Sequence, residues 1–236
     1  MAPNDFDIHS LATYLHLTPA QVGRMVDRGR LPGRKISGEW RFSEAEIHHW
    51  LEERIGASDD DEELAHMEHV LKNGSSATAD VSIADALPVE AIAVPLNART
   101  RVRVIERMVE TAANTGWLWD PEKIIQAVRV RETLHSTALG NGVALLHPRR
   151  PQPTILAQPF IALGRTYKGI PFGDPQGRLT DIFFLILSTD DAGHLRTLAR
   201  LSRFVGEPEF LENLRDAEDP VETHRVIEQY EEAQFG

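Results

Sequence analysis

The sequence predicts an α/β protein in two parts, a small and mainly helical domain with one hairpin followed by a larger sandwich of buried strands and helices. Three observations lead there. Helix-capping signals crowd the first 55 residues, a carboxylate-rich stretch interrupts the pattern from Gly56 to Asp85, and from Ala86 onward strand-like apolar runs alternate with helical ones. A chain of 236 residues that is 42% hydrophobic can bury one sizeable core and a satellite domain. The expected bounds are 1–55, 56–85 and 86–236.

Composition excludes several classes. No apolar run approaches the roughly 20 residues that span a bilayer, so no membrane insertion is expected. The opening "MAPNDFDIHS" lacks the basic start and apolar centre of a secretory signal, which makes a cytoplasmic location the expectation. With no cysteine, disulfides, thiolate chemistry and thiol-ligated zinc are excluded. The net charge of −11 argues against wholesale nucleic-acid binding, yet it is unevenly spread. Residues 1–55 carry 7 basic and 8 acidic side chains, residues 56–85 carry 1 and 8, and the remainder 17 and 20. The middle stretch therefore reads as an acidic linker, with Leu64, Met67, Val70 and Leu71 marking one short helix that serves as a spacer or as a docking or dimerising element.

In the first part, "FDIHSLATYLHL" brings Ile8, Leu11, Ala12 and Leu15 to one helical face. Thr18-Pro19-Ala20-Gln21 offers an N-cap, a first-turn proline and a capping-box Gln, so a second helix starts at Pro19. It turns Val22, Met25 and Val26 inward and leaves Gln21, Arg24 and Arg28 on other faces until "DRGRLPGR" ends it. "RKISGEWRF" reads as a hairpin turning at Ser37-Gly38-Glu39, and Ser43 caps a third helix bearing Ile47, Trp50 and Leu51. In that order these residues resemble the excisionase-like and MerR-like winged helix-turn-helix domains. The resemblance implies DNA as a partner: the second helix would enter the major groove with Gln21, Arg24 and Arg28, and Lys35 and Arg41 would serve the wing beside the backbone. A domain of net charge −1 neutralises few phosphates, so DNA binding would bring with it a homodimer offering a second half-site.

In the second part, "EAIAVPL" is strand-like and precedes a helix with Val102, Ile105, Val109 and Ala112, and Asp120-Pro121 opens another with Ile124, Ile125 and Val128. "GVALLH", "TILAQPFIALG" and "DIFFLIL" read as strands, "HLRTLARLSRFV" and "PEFLENL" as helices, and Asp219-Pro220-Val221-Glu222 caps a last helix. Within "RETLHSTALGNGVALLHPRR", the "GNG" of Gly140, Asn141 and Gly142 permits a tight turn whose main-chain N–H groups could approach an anion. His147 then ends a strand, where Pro148 stops regular pairing and leaves the ring presented rather than packed. Arg131 brings a guanidinium suited to phosphate oxygens, Ser136 and Thr137 add hydroxyls, and Arg149 adds a second cation. A neutral imidazole is a good nucleophile towards phosphorus, and His194, at the start of a later helix, could donate a hydrogen bond to the group transferred.

This part resembles the enzyme IIA domain of the mannitol/fructose and nitrogen-related class of the bacterial phosphoenolpyruvate-dependent sugar phosphotransferase system. The likeness rests on "RETLHSTALGNGVALLH", "PFIALG", "GIPFGDPQGRLTDIFFLIL" and "HLRTLARLSRFV", and covers about residues 86 to 232. It implies an α/β sandwich with a mixed sheet flanked by helices. It further implies His147 as acceptor of phosphate from the histidine phosphocarrier protein, Arg131 and His194 as its catalytic companions, and neither metal nor cofactor. Ser136, Thr137, Asn141, Gly142 and Arg149 are then the expected phosphate pocket. One departure stands out: the family usually has proline just before its phosphoryl histidine, and this chain has Leu146 there. A DNA-binding part joined to a phosphoryl-accepting part suggests a phosphotransferase-linked transcription regulator. The rival readings are a phosphocarrier relaying phosphate to a permease component, and an enzyme IIA fold that binds without transferring.

Overall fold

The structure is a computed structural model that describes residues 5–15, 17–43, 46–47, 50–51, 82–174 and 176–235. The chain divides into two compact units, Met1–Asp80 and Val81–Gly236. Residues 56–81 of the expected acidic linker, with its helix at Leu64 to Leu71, lie outside the described residues. Among the described residues no helix is long and apolar enough to cross a membrane.

The first unit contains β1 (Asp5–Phe6), α1 (Ile8–Tyr14), α2 (Pro19–Asp27), β2 (Arg34–Ile36) and β3 (Glu39–Ser43). Local chemistry fixes both helix starts. Asp7 caps α1 in a reciprocal box with Ser10, and Thr18 caps α2 in another with Gln21. β3 is the middle of a three-stranded antiparallel sheet ordered β1-β3-β2, where the short β1 is an addition to the expected hairpin. Leu11, Val22, Phe42 and Ile47 are wholly buried, and α1 packs against both α2 and β3.

The second unit runs α3 (Ile83–Ala86), a 3-10 turn at Val89–Ala91, β4 (Ile92–Ala93), α4 (Arg101–Ala113), α5 (Pro121–Leu134), β5 (Val143–Leu146), β6 (Phe160–Pro171), β7 (Leu179–Leu187), α6 (Asp191–Gly206), α7 (Pro208–Asp216) and α8 (Pro220–Phe235). The sheet is mixed, in the order β4-β6-β7-β5. β5 runs parallel to β7 with Leu146 opposite Leu185, whereas β6 and β7 are antiparallel. Every residue of β5, and Ile182 to Leu187 of β7, is buried, as expected for strands covered on both faces. Two strands are shorter than the apolar runs suggested. Only Ile92–Ala93 of "EAIAVPL" pairs, and "TILAQPFIALG" enters the sheet only at Phe160.

The second unit also begins earlier than residue 86. Ser82 to Ala84 are gripped by the buried carboxylate of Glu231 on α8, which accepts from Ser82 Oγ at 2.8 Å, Ile83 N at 2.8 Å and Ala84 N at 3.0 Å. Arg200 on α6 pairs with the same carboxylate at 3.1 Å. Glu231 therefore joins the entry of the unit to two of its helices. Removing one partner of a buried pair strands the other, so Glu231→Ala should destabilise the second unit by about 3–5 kcal/mol, read in urea as lost hydrogen-exchange protection of β6 and β7. Protection equal to wild type would show that the clasp contributes little.

Candidate functional site

Parallel pairing of β5 with β7 brings two chain turns together. His147 directly follows β5, and Ser188 directly follows β7 and leads through the Asp190 N-cap into α6. His147 is 2% exposed and His194, in the first turn of α6, is 7% exposed. Their ring centroids stand 5.0 Å apart at an interplanar angle of 55°. Nδ1 of His147 lies 2.8 Å from the Leu145 carbonyl oxygen. A carbonyl only accepts, so Nδ1 carries the proton and Nε2 the lone pair. Arg131, 6% exposed in the last turn of α5, donates its Nε to that Nε2 at 3.3 Å and its Nη1 to the His135 carbonyl at 2.9 Å. Nδ1 of His194 meets Ser188 Oγ at 3.2 Å.

Glu132, which no sequence motif singles out, organises the surrounding loop. Its carboxylate accepts from Arg101 Nη2 at 2.6 Å, from the Thr137 backbone N at 3.2 Å and from the Thr137 hydroxyl. Thr137 O in turn accepts from Leu145 N at 3.2 Å, and Leu139 N donates to Val143 O at 2.9 Å, so this loop closes the outer edge of β5. A glutamate late in a helix gives no local signal of that long-range role.

The remaining expected pocket residues separate. The Ser136 hydroxyl donates to Phe172 O at 3.2 Å, and the Thr137 hydroxyl is taken by Glu132, so both serve the loop. Arg149 is exposed two residues beyond His147. Asn141 and Gly142 stand at the far end of β5, about 16–20 Å from His147 at the usual rise of a strand. There the Asn141 amide donates to Val205 O at 2.7 Å and its Oδ1 accepts from Val143 N at 3.2 Å.

Two expectations are corrected. The "GNG" turn does not open towards an anion, because guanidinium groups occupy the space its glycines leave. A Cβ on Gly140 would collide with Arg178 Nη2, and one on Gly142 would lie 2.5 Å from Arg215 Nη2; φ is +74° and +94° at these positions. Arg215 is itself held by Asp181 at 2.8 Å. Nor is the His147 ring presented: its Nδ1–H folds back to Leu145 O, and Arg131 and His194 flank it, so the residue is buried.

In the first unit, Gln21 spends its Oε1 on the Thr18 backbone N and hydroxyl, each at 2.8 Å. The wing cations are also engaged. Arg41 pairs with Glu39 at 2.8 Å, Arg34 with Asp5 at 2.9 Å, and Lys35 lies 4.9 Å over the Trp40 ring. Arg24 and Arg28 are exposed and, with Leu17, Gln21, Met25 and Arg30, line a groove of about 220 Å³. Arg30 was not singled out by sequence, and the Trp50 indole, donating to the Arg30 carbonyl at 2.8 Å, fixes its place.

Residues 85–230 match the family profile described as phosphoenolpyruvate-dependent sugar phosphotransferase system, EIIA 2, and residues 7–55 match a helix-turn-helix domain. The chain is 28% identical over 153 residues to the PTS system fructose-specific EIIABC component of Bacillus subtilis, covering 64% of this chain but only 24% of that protein. It is 29% identical over 148 residues to a nitrogen regulatory protein of Bradyrhizobium diazoefficiens, covering 61% of this chain and 94% of that one. The crystal structure of nitrogen regulatory protein IIA-Ntr from Neisseria meningitidis has the same fold, with a TM-score of 0.55 and 23% identity over 61% of this chain and 98% of that one.

The Asp174–Arg178 pair over Gly140 gives a pH signature. Arg178 donates to Asp174 Oδ2 at 3.0 Å, and the backbone N–H groups of Gln176 and Arg178 donate to Oδ1. The Arg178 guanidinium, then these amides, hold the Asp174 carboxyl below its ordinary 3.8. A depressed folded value means the stabilisation is complete above the ordinary value and is lost as pH falls through the depressed one. The Gln176 amide resonance should follow that acid transition, and Asp174→Asn should abolish it. A wild-type transition at or above the ordinary value would contradict the pairing.

Proposed function

Because the chain belongs to the EIIA 2 family of the phosphoenolpyruvate-dependent sugar phosphotransferase system and carries a helix-turn-helix domain ahead of it, we propose that it is a phosphotransferase-linked regulator. Its second unit accepts a phosphoryl group on His147 from the histidine phosphocarrier protein, and its first unit acts on DNA. The observation that carries this reading is Arg131 Nε, 3.3 Å from the lone-pair nitrogen of a histidine whose other nitrogen is committed to a backbone carbonyl.

Tautomer and charge set the chemistry. The Nε2 lone pair forms a bond to phosphorus while the bond from phosphorus to the donor nitrogen breaks and its electron pair returns to that nitrogen. Nδ1–H stays on Leu145 O throughout, so His147 exchanges no proton with a base. Arg131 leaves Nε2 to admit the group and then meets the charge spread over the equatorial oxygens. His194, one ring away, hydrogen-bonds the bound phosphoryl group. The burial of His147 favours one rival, a pocket that binds without transferring, and labelling decides between the two readings.

On the DNA side, Arg24, Arg28 and Arg30 form the phosphate-contacting surface of α2 and its exit, while the acid-paired Arg41 adds little. Gln21 has its Oε1 engaged in the helix cap, which leaves only its amide N–H groups to offer to a base. A net charge of −1 over residues 1–55 makes one copy weak, and a homodimer supplies the second half-site.

Given phosphoenolpyruvate, the first enzyme of the system and the histidine phosphocarrier protein, the full chain should acquire an acid-labile, base-stable phosphate, absent from His147→Ala. Arg131→Ala should slow labelling by about 10²–10³ while leaving the fold intact, as for loss of one charge-stabilising donor. No label on the wild-type chain from cognate donors would hand the case to the binding-only reading. On a mixed-sequence duplex, each of Arg24→Ala, Arg28→Ala and Arg30→Ala should weaken binding and lower the salt slope by about 1, whereas Arg41→Ala should change it little. An unchanged slope in the triple variant would remove α2 from the interface.

A further inference from the structure

We infer that Ser188 is a positioning residue for phosphoryl transfer. Its hydroxyl donates to Nδ1 of His194 and so holds that ring in the tautomer whose Nε2 carries the proton. The inference rests on the reading of His147 as phosphoryl acceptor. Ser188 is the first residue after β7, and its carbonyl accepts from Gln152 N at 2.8 Å. It is thereby held on one side by the β7 ladder and on the other by the segment that follows His147. The residue is buried, and its Oγ stands 3.2 Å from Nδ1 of His194.

A serine hydroxyl can donate or accept, so the surroundings of the ring decide its direction here. With Nδ1 turned to Ser188, Nε2 is the other nitrogen through which this ring, its centroid 5.0 Å from that of His147, can serve the group that His147 receives. His147 offers a lone pair on Nε2 before transfer and negatively charged oxygens after it. If His194 kept its proton on Nδ1, it would present a second lone pair to both. If Ser188 donates to Nδ1, the ring instead offers an N–H that complements both states. The serine thus acts as the outer partner of a functional imidazole, fixing which nitrogen is protonated without touching the transferred group. No proton leaves Ser188 during transfer. The phosphorus–nitrogen bond to His147 forms and breaks with its electron pair on His147 Nε2, while His194 Nε2–H only hydrogen-bonds the oxygens. The sequence hides this role because "LSTDD" reads as a strand end running into a helix cap.

The test uses the full 15N-labelled chain. Long-range 1H–15N correlation should find the proton of neutral His194 on Nε2 in wild type and in Ser188→Thr, and shifted to Nδ1 or shared between both nitrogens in Ser188→Ala. In parallel, phosphorylated Ser188→Ala should return its group to the dephosphorylated phosphocarrier protein about tenfold more slowly than wild type, with Ser188→Thr restoring the rate. A wild-type proton on Nδ1, or a tautomer unmoved by Ser188→Ala, overturns the inference. So does a moved tautomer with an unchanged return rate. A wild-type chain that takes no label while its tautomer responds to Ser188→Ala instead overturns the acceptor reading, and the transfer role of Ser188 falls with it.

Discussion

Parallel pairing between β5 and β7 is the constraint from which the second unit's candidate site follows. Its register, with Leu146 opposite Leu185, makes the two strands end within two residues of each other. One end delivers His147 at once, and the other delivers Ser188 and, a few residues later, the helix that starts before His194. Slipping the pair by one residue would turn every side chain of β5 to the opposite face and take His147 away from both Arg131 and His194. The buried runs of β5 and β7 forbid such a slip, because it would pull Ala144, Leu146, Phe183 and Leu185 out of their places in the core. The hydrophobic packing that makes the sheet stable therefore also sets the spacing of His147, Ser188 and His194.

Around that frame, charged groups are placed where they can hold backbone. Glu132 fastens the loop beside β5, Glu231 fastens the start of the unit, and Asp174 fastens the turn before β7. Each accepts from main-chain N–H groups as well as from an arginine. In each pair the carboxylate is buried, though Arg101 and Arg178 stay partly exposed, so removing its partners would strand a buried charge, and the pair specifies one loop conformation among several. Arg24, Arg28 and Arg30, by contrast, line one groove on α2 and its exit.

Legibility followed the range of each interaction. Helix starts at Asp7, Thr18, Asp120 and Asp190 depend on contacts three residues apart, and the capping residues sit in or beside stretches whose helices the sequence predicted. Strand β7 was legible because its six consecutive apolar residues suit a short strand covered on both faces. The grouping of Arg131, His147 and His194 came from the family pattern, and the geometry brings the three together. What failed was long-range. "GNG" announced a tight turn, but nothing nearby in the chain revealed that Arg178 and Arg215 would fill it. Gln21 could be a cap or a base reader by residue type, and the structure shows the cap, with its Oε1 2.8 Å from both the Thr18 N and hydroxyl. Val102, named with Ile105, Val109 and Ala112 among the apolar residues of its helix, is half exposed at 51% whereas the other three are buried, because α4 meets the sheet over a narrower face than its apolar residues span.

The order β4-β6-β7-β5 leaves the strand that ends at His147 on the outside of the sheet, where unpaired amides and carbonyls invite another extended chain to add itself. Thr137 and Leu139 take up those groups through Leu145 N and Val143 O. His147 thus follows a border whose pairing groups at Val143 and Leu145 are already engaged, which closes it to strand exchange. Any protein that docked on that edge would meet side chains rather than an open ladder, so its grip would depend on surface shape and charge.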